Sequence, residues 1–82
     1  MVTILFFAQL REQLNCEKIS IDIESPLTLL AILERITQQR PEWSMFLSNE
    51  KLLFALNQKI VKSSELVNIN DEVAFFPPVT GG

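Results

Sequence analysis

Glycine is almost missing from this chain: there are two in 82 residues, and they are the last two. An average chain of this length would carry about six, so the turns elsewhere must rely on Asn, Asp, Ser and Pro. Histidine is absent altogether, which removes the commonest general base, the usual nitrogen ligand of zinc and any Ser-His arrangement. Cys16 stands alone, so an internal disulfide and a thiolate metal site are excluded, and a reducing compartment fits. No apolar run approaches the ~20 residues of a membrane span. Residues 1–8 lack the basic flank and small-residue cleavage site of a signal peptide. The seven basic residues, Arg11, Lys18, Arg35, Arg40, Lys51, Lys59 and Lys62, are dispersed in a chain of net charge −3. Nucleic-acid affinity needs clustered cations. These absences predict a cytoplasmic domain that binds no metal, membrane or nucleic acid.

What is present is apolar. The hydrophobic fraction is 48%, with six Phe and one Trp, enough for one core without staples. A chain this short buries only roughly 60–65% of its unfolded surface, too little for a large enclosed substrate pocket. Any chemistry it takes part in is expected to be completed by a partner.

Residues 2–8 (VTILFFA) are β-branched and aromatic and read as a strand. Residues 9–15 suit a turn of helix. Residues 18–24 alternate, with Ile19, Ile21 and Ile23 on one side, and read as a half-buried hairpin partner of the first strand. Thr28 is placed to cap a helix reaching about Gln39. Leu29, Ile32, Leu33 and Ile36 recur along it at helical spacing, and Arg40-Pro41 ends it. Residues 42–47 form a short helix or packed loop. Residues 52–56, 59–61 and 72–76 read as three further strands, with turns at Asn57-Gln58 and Asn70-Asp71. The order β-β-α-β-β-β predicts an α+β fold of the ubiquitin-like β-grasp type. A mixed sheet would wrap around one main helix, with the first and last strands parallel at its centre. The domain is expected over residues 1–76, followed by an extended tail at 77–82.

That tail is the informative segment. Disordered ends are usually polar, yet this one runs Phe75-Phe76-Pro77-Pro78-Val79-Thr80-Gly81-Gly82. Ordering six free residues costs on the order of 6–12 kcal/mol. Paired prolines lower that cost by holding an extended conformation in advance. Phe76 or Val79 could each contribute ~1.5–3 kcal/mol if buried in a partner. Two terminal residues without Cβ could pass a narrow channel and deliver a carboxylate into another protein's pocket.

Residues 72–82 (EVAFFPPVTGG) resemble the C-terminal signature of the small subunits of molybdopterin synthase. Residues 5–12 (LFFAQLRE) and 51–58 (KLLFALNQ) are similar to that family at corresponding places. The resemblance implies a sulfur carrier in molybdenum cofactor synthesis whose reactive group is the Gly82 carboxylate, with Gly81 leaving the approach unobstructed. An α-carboxyl titrates at about 3.3–3.7, so it is ionised at neutral pH and must be activated. The family's adenylating enzyme, akin to ubiquitin-activating enzymes, uses Mg-ATP to form a glycyl adenylate. A persulfide sulfur donor then converts it to a thiocarboxylate. The large subunit binds cyclic pyranopterin monophosphate and supplies the catalytic groups, in a two-plus-two assembly, so the small subunit is no enzyme alone and holds no permanent cofactor.

Strand parity predicts where partners dock. With Val2, Ile4, Phe6, Val73 and Phe75 facing inward, Phe7 and Phe76 face outward side by side, and Ile60 extends an apolar patch that marks an interaction surface. Arg11 is a candidate polar contact, and Pro77, Pro78, Val79 and Thr80 are expected to contact the partner along the tail. Cys16 is read as structural, Trp43 and Met45 as packing residues, and Asp22 and Glu24 as the wet side of a strand. Three alternatives share the fold: the sulfur carrier of thiamine biosynthesis, whose pattern lacks the Phe-Phe-Pro-Pro-Val segment, a ubiquitin-like modifier joined to lysine, and a binding module whose tail does no chemistry.

Overall fold

The computed structural model describes residues 1–48 and 52–77. Strand β1 (Val2–Phe6) leads into helix α1 (Ala8–Leu14), then β2 (Lys18–Ile21), the short β3 (Leu27–Thr28) and the main helix α2 (Leu29–Gln39). A 3₁₀ turn at Pro41–Trp43 and helix α3 (Ser44–Leu47) follow, then β4 (Leu53–Leu56), β5 (Lys59–Val61), β6 (Leu66–Val67) and β7 (Glu72–Phe76). Five strands form one mixed sheet in the order β2-β1-β7-β4-β5. β1 and β7 run parallel, with Leu5 opposite Ala74, while the other pairs in the sheet are antiparallel. The expected β-grasp arrangement is therefore present, with the first and last strands adjacent inside the sheet.

Two strands were not anticipated. β3 and β6 pair as a separate two-stranded ribbon, Leu27 with Val67 and Thr28 with Leu66. Each is two residues long, too short to show a period of its own. The second strand ends at Ile21 rather than at residue 24, although Ile23 is still buried. Likewise the first strand stops at Phe6, because Ala8 adopts φ 55° and turns the chain into α1. A left-handed conformation costs a residue with a Cβ roughly 1–2 kcal/mol, and it is used here in a chain with no glycine to spare. The other left-handed positions are Asn15, Asn57, Gln58 and Asn70, and three of these four are asparagine, whose side chain tolerates that region.

One core joins the layers. The buried faces of α1 (Leu10, Leu14) and α2 (Leu29, Ile32, Ile36) meet Val2, Ile4, Phe6, Val73 and Phe75 from the sheet. An aromatic chain runs through it: Trp43 edge-on to Phe6 at 5.4 Å, Phe6 stacked on Phe75 at 6.0 Å, and Phe54 edge-on to Phe75 at 5.5 Å. Trp43 is thus a packing residue, as its sequence position suggested, and Arg40 lies 4.8 Å over its ring. Met45 differs from expectation: at 75% exposure it packs into no core. α3 is only four residues long, and its inward direction is taken by Leu47.

α2 starts where the sequence placed it. The Thr28 hydroxyl accepts a hydrogen bond from the Ala31 amide at 3.1 Å. Replacing Thr28 by Ala is expected to remove about 1 kcal/mol and lower the melting temperature by about 4–8 °C. Thermal denaturation followed by circular dichroism tests this, and an unchanged midpoint would show that the cap contributes nothing. At the opposite end of the sheet, Asn57 locks the β4–β5 turn to the start of β7. Its side chain donates to Asp71 at 3.1 Å and accepts from the Glu72 amide at 2.9 Å.

Candidate functional site

The two faces of the sheet have different fates. Val73 and Phe75 are fully buried against the helices, so Glu72, Ala74 and Phe76 on the same strand point the other way. On β1 the same alternation buries Val2, Ile4 and Phe6 and turns Thr3 and Leu5 outward. Phe7 follows at the end of the strand, where its amide donates to the Phe75 carbonyl at 3.2 Å. The Phe7 and Phe76 rings consequently lie side by side, 5.8 Å between centroids and tilted by 55°. Across the sheet on edge strand β5, Ile60 stands opposite Ala55 and is 66% exposed. Between the aromatic pair and Ile60 lies an open depression of about 420 Å³. No helix, loop or ribbon among the described residues covers this face.

The structure thus brings Phe7, Phe76 and Ile60 to one apolar surface, as strand parity indicated. Phe7 keeps 43% of its surface exposed, a large exposure for an aromatic side chain in a small domain. Arg11 sits one helical turn beyond Phe7, its amide donating to the Phe7 carbonyl at 3.4 Å, with its side chain exposed. Pro77 follows Phe76 directly and is half-buried. Pro78, Val79, Thr80, Gly81 and Gly82 lie outside the described residues. Leu5, Ala55 and Ala74 also line the depression and were not singled out from the sequence. The alternation that identified Phe76 would have found Ala74 two residues earlier.

Cys16 takes no part in this surface. It is half-buried beyond α1, and its Sγ donates to the Lys18 carbonyl at 3.6 Å. Asp22 and Glu24 are exposed, and the Asp22 carbonyl accepts from Arg35 at 2.8 Å. Among the described residues, no group of three His, Cys, Asp or Glu side chains could hold a metal ion, and no helix is long and apolar enough to cross a membrane.

A mixed sheet that packs its helices on one side and leaves an apolar face on the other defines a ubiquitin-like β-grasp domain. Known structures share that fold. SAMP1 from Haloferax volcanii superposes with a TM-score of 0.83 at 22% identity, covering 99% of this chain and 98% of that one. A protein–protein complex of subunits 1 and 2 of molybdopterin-converting factor from Helicobacter pylori superposes at 0.66 with 24% identity, covering 99% and 97%. Sequence relationships are closer. The ThiS family model matches residues 4–82. The molybdopterin synthase sulfur carrier subunits of Haemophilus influenzae and Escherichia coli are each 40% identical over 82 residues, covering the whole of both chains in each comparison. The chain belongs to the ThiS family and, within it, to the molybdopterin synthase sulfur carrier subunits.

Proposed function

We propose that this chain carries sulfur to molybdopterin synthase as a thiocarboxylate on Gly82. The observation that carries this reading is the end-to-end match at 40% identity with named sulfur carrier subunits, which runs through the terminal glycines. That match also favours the molybdopterin carrier over the thiamine carrier. The chemistry follows from the terminal group. A carboxylate resists nucleophilic attack, so a partner adenylating enzyme first joins it to AMP from Mg-ATP, releasing pyrophosphate. A persulfide sulfur then attacks the acyl carbon and displaces AMP. A thiol cleaves the resulting acyl disulfide, leaving one sulfur on Gly82. Neither Gly81 nor Gly82 presents a Cβ to obstruct these displacements.

Residues 1–76 form the docking body, and residues 77–82 form the arm that reaches the catalytic groups of the large subunit. The seven cations of this chain are scattered, so the groups that hold the substrate and move its protons come from that partner. The chain works in the cytoplasm, where both partners and the sulfur donor meet it. The test is to incubate the protein with the adenylating enzyme, ATP and a sulfur donor and to weigh it intact. Exchange of one oxygen for sulfur supports the carrier, covalent conjugates would point to a modifier, and an unchanged mass with an active control carrier would refute both.

Docking is assigned to the outer sheet face, with Phe7, Phe76, Ile60 and Arg11 contacting the large subunit alongside Pro77 and the tail. Phe76→Ala is expected to weaken that complex about 30-fold or more, the loss typical of a central aromatic anchor. Its fold should lose only about 1 kcal/mol through the missing Phe7 ring contact. Calorimetric titration decides the point, and an unaltered affinity would remove Phe76 from the interface.

A further inference from the structure

The centre of the outer sheet face has the smallest side chains that a strand can carry there. Across the sheet, Leu5, Ala74, Ala55 and Ile60 stand in one row on neighbouring strands. The two alanines occupy its middle, on β7 and β4, directly opposite each other. Although they point away from the core, they retain only 7% and 5% of their surface, because larger neighbours wall them in. Leu5 and Ile60 close the row at its ends, and Phe7 and Phe76 form one side, with Glu72 and Gln58 at the polar rim. The result is a trough whose floor is two methyl groups.

Local stability does not explain that floor. Strand interiors favour β-branched and aromatic residues, and alanine is depleted in them. Paired large side chains across neighbouring strands contribute roughly 0.2–1 kcal/mol over Ala–Ala. A sequence that uses isoleucine, valine or phenylalanine at most inward positions of this sheet has alanine at the two sites where a larger residue would fill the hollow. Departures from local preference of this kind are expected where function requires them.

We infer that Ala55 and Ala74 are specificity-determining residues, kept small so that a single large apolar side chain of the synthase large subunit can insert between Phe76 and Ile60. This rests on the proposed pairing with that subunit. Two features favour this occupant. The five residues beyond Pro77 span at most about 18 Å when extended, so a protein that holds Gly82 must sit close to the trough. The Glu72 carboxylate on the rim calls for a cationic or hydrogen-bond-donating group beside the inserted side chain.

The consequence is opposed effects on stability and binding. Ala74→Val and Ala55→Val should each melt at or above the temperature of the unaltered protein, because valine suits the strand and fills the hollow. Each should bind the large subunit about tenfold or more weakly, as overfilled packing does. Thr3→Val, on the same face beside Glu72 and outside the trough, is the control, expected to keep full affinity. The experiment is calorimetric titration of the full chain and its variants with purified large subunit, together with melting curves and sedimentation of the chain alone. Loss of affinity in both valine variants with Thr3→Val unaffected supports the assignment, and if one variant fails to fold, the other decides. Equal affinity for all variants overturns it while leaving the pairing intact, as does an equal loss in Thr3→Val. A dimer of the chain alone that the valine variants dissolve would overturn it in favour of a second copy. No binding by the unaltered chain would refute the pairing itself.

Discussion

Removal of Gly82 is expected to abolish sulfur loading and to leave the melting temperature unchanged. The shortened chain still ends in a glycine carboxylate, so its chemistry is intact and only its position changes. One residue of extended chain is ~3.3–3.6 Å. Reacting atoms must approach to about 3–3.5 Å, and a misplacement of 1 Å can cost roughly 100-fold in rate. Shortening the arm by a whole residue while the body stays docked therefore places the carboxylate well outside the range in which AMP transfer proceeds. The body should be unaffected because the core residues lie between Val2 and Phe75. Intact mass after incubation with adenylating enzyme, ATP and sulfur donor gives the first result, and thermal denaturation gives the second. A chain ending at Gly81 that gains sulfur at the normal rate would defeat the terminal-carboxylate mechanism.

Phe75→Ala is expected to have the largest effect on stability. Phe75 is fully buried in a strand interior to the sheet and touches the rings of Phe6 and Phe54. Its truncation should cost about 3–5 kcal/mol in transfer and cavity terms, against a total stability of roughly 5–15 kcal/mol for a natural domain. For a chain of this size that corresponds to a fall in melting temperature of at least about 12 °C. Urea or thermal unfolding measures it, and a midpoint within a few degrees of the unaltered protein would show that the aromatic chain is not the centre of the core. The contrast with Phe76→Ala is informative. The two residues are adjacent in sequence and chemically identical, but one truncation should remove stability and the other affinity. Only the side of the sheet separates them.

Much of this fold could be read from the chain. β5 and β7 begin and end at the residues that the turn signals bracket, and α2 begins at its Thr28 cap and ends before Arg40-Pro41. Those boundaries are marked by local chemistry: a hydroxyl that caps amides, a proline that cannot continue a helix, and asparagines that accept a left-handed turn. The β3–β6 ribbon could not be read, because two-residue strands exist only through pairing between segments distant in sequence. Nor could the end of β1, where Ala8 takes a conformation that alanine disfavours and that only the surrounding packing can enforce.

The candidate site divides along the same line. With Val2, Ile4, Phe6, Val73 and Phe75 inward, alternation along β1 and β7 places Phe7 and Phe76 outward, although both sides of these short strands carry apolar residues. Residues 77–82 also stand out by composition, with both glycines of the chain at their end, and the chemistry expected there comes from the resemblance of residues 72–82 to the small subunits of molybdopterin synthase. The trough was decided by tertiary structure alone. Leu5, Ala55, Ile60 and Ala74 come from four strands, and nothing in any one segment reveals that two alanines will lie opposite each other between larger neighbours. A strand's own residues dictate which way each side chain points, but depth is a property of several strands in register, and register is settled only when the whole sheet closes over its core.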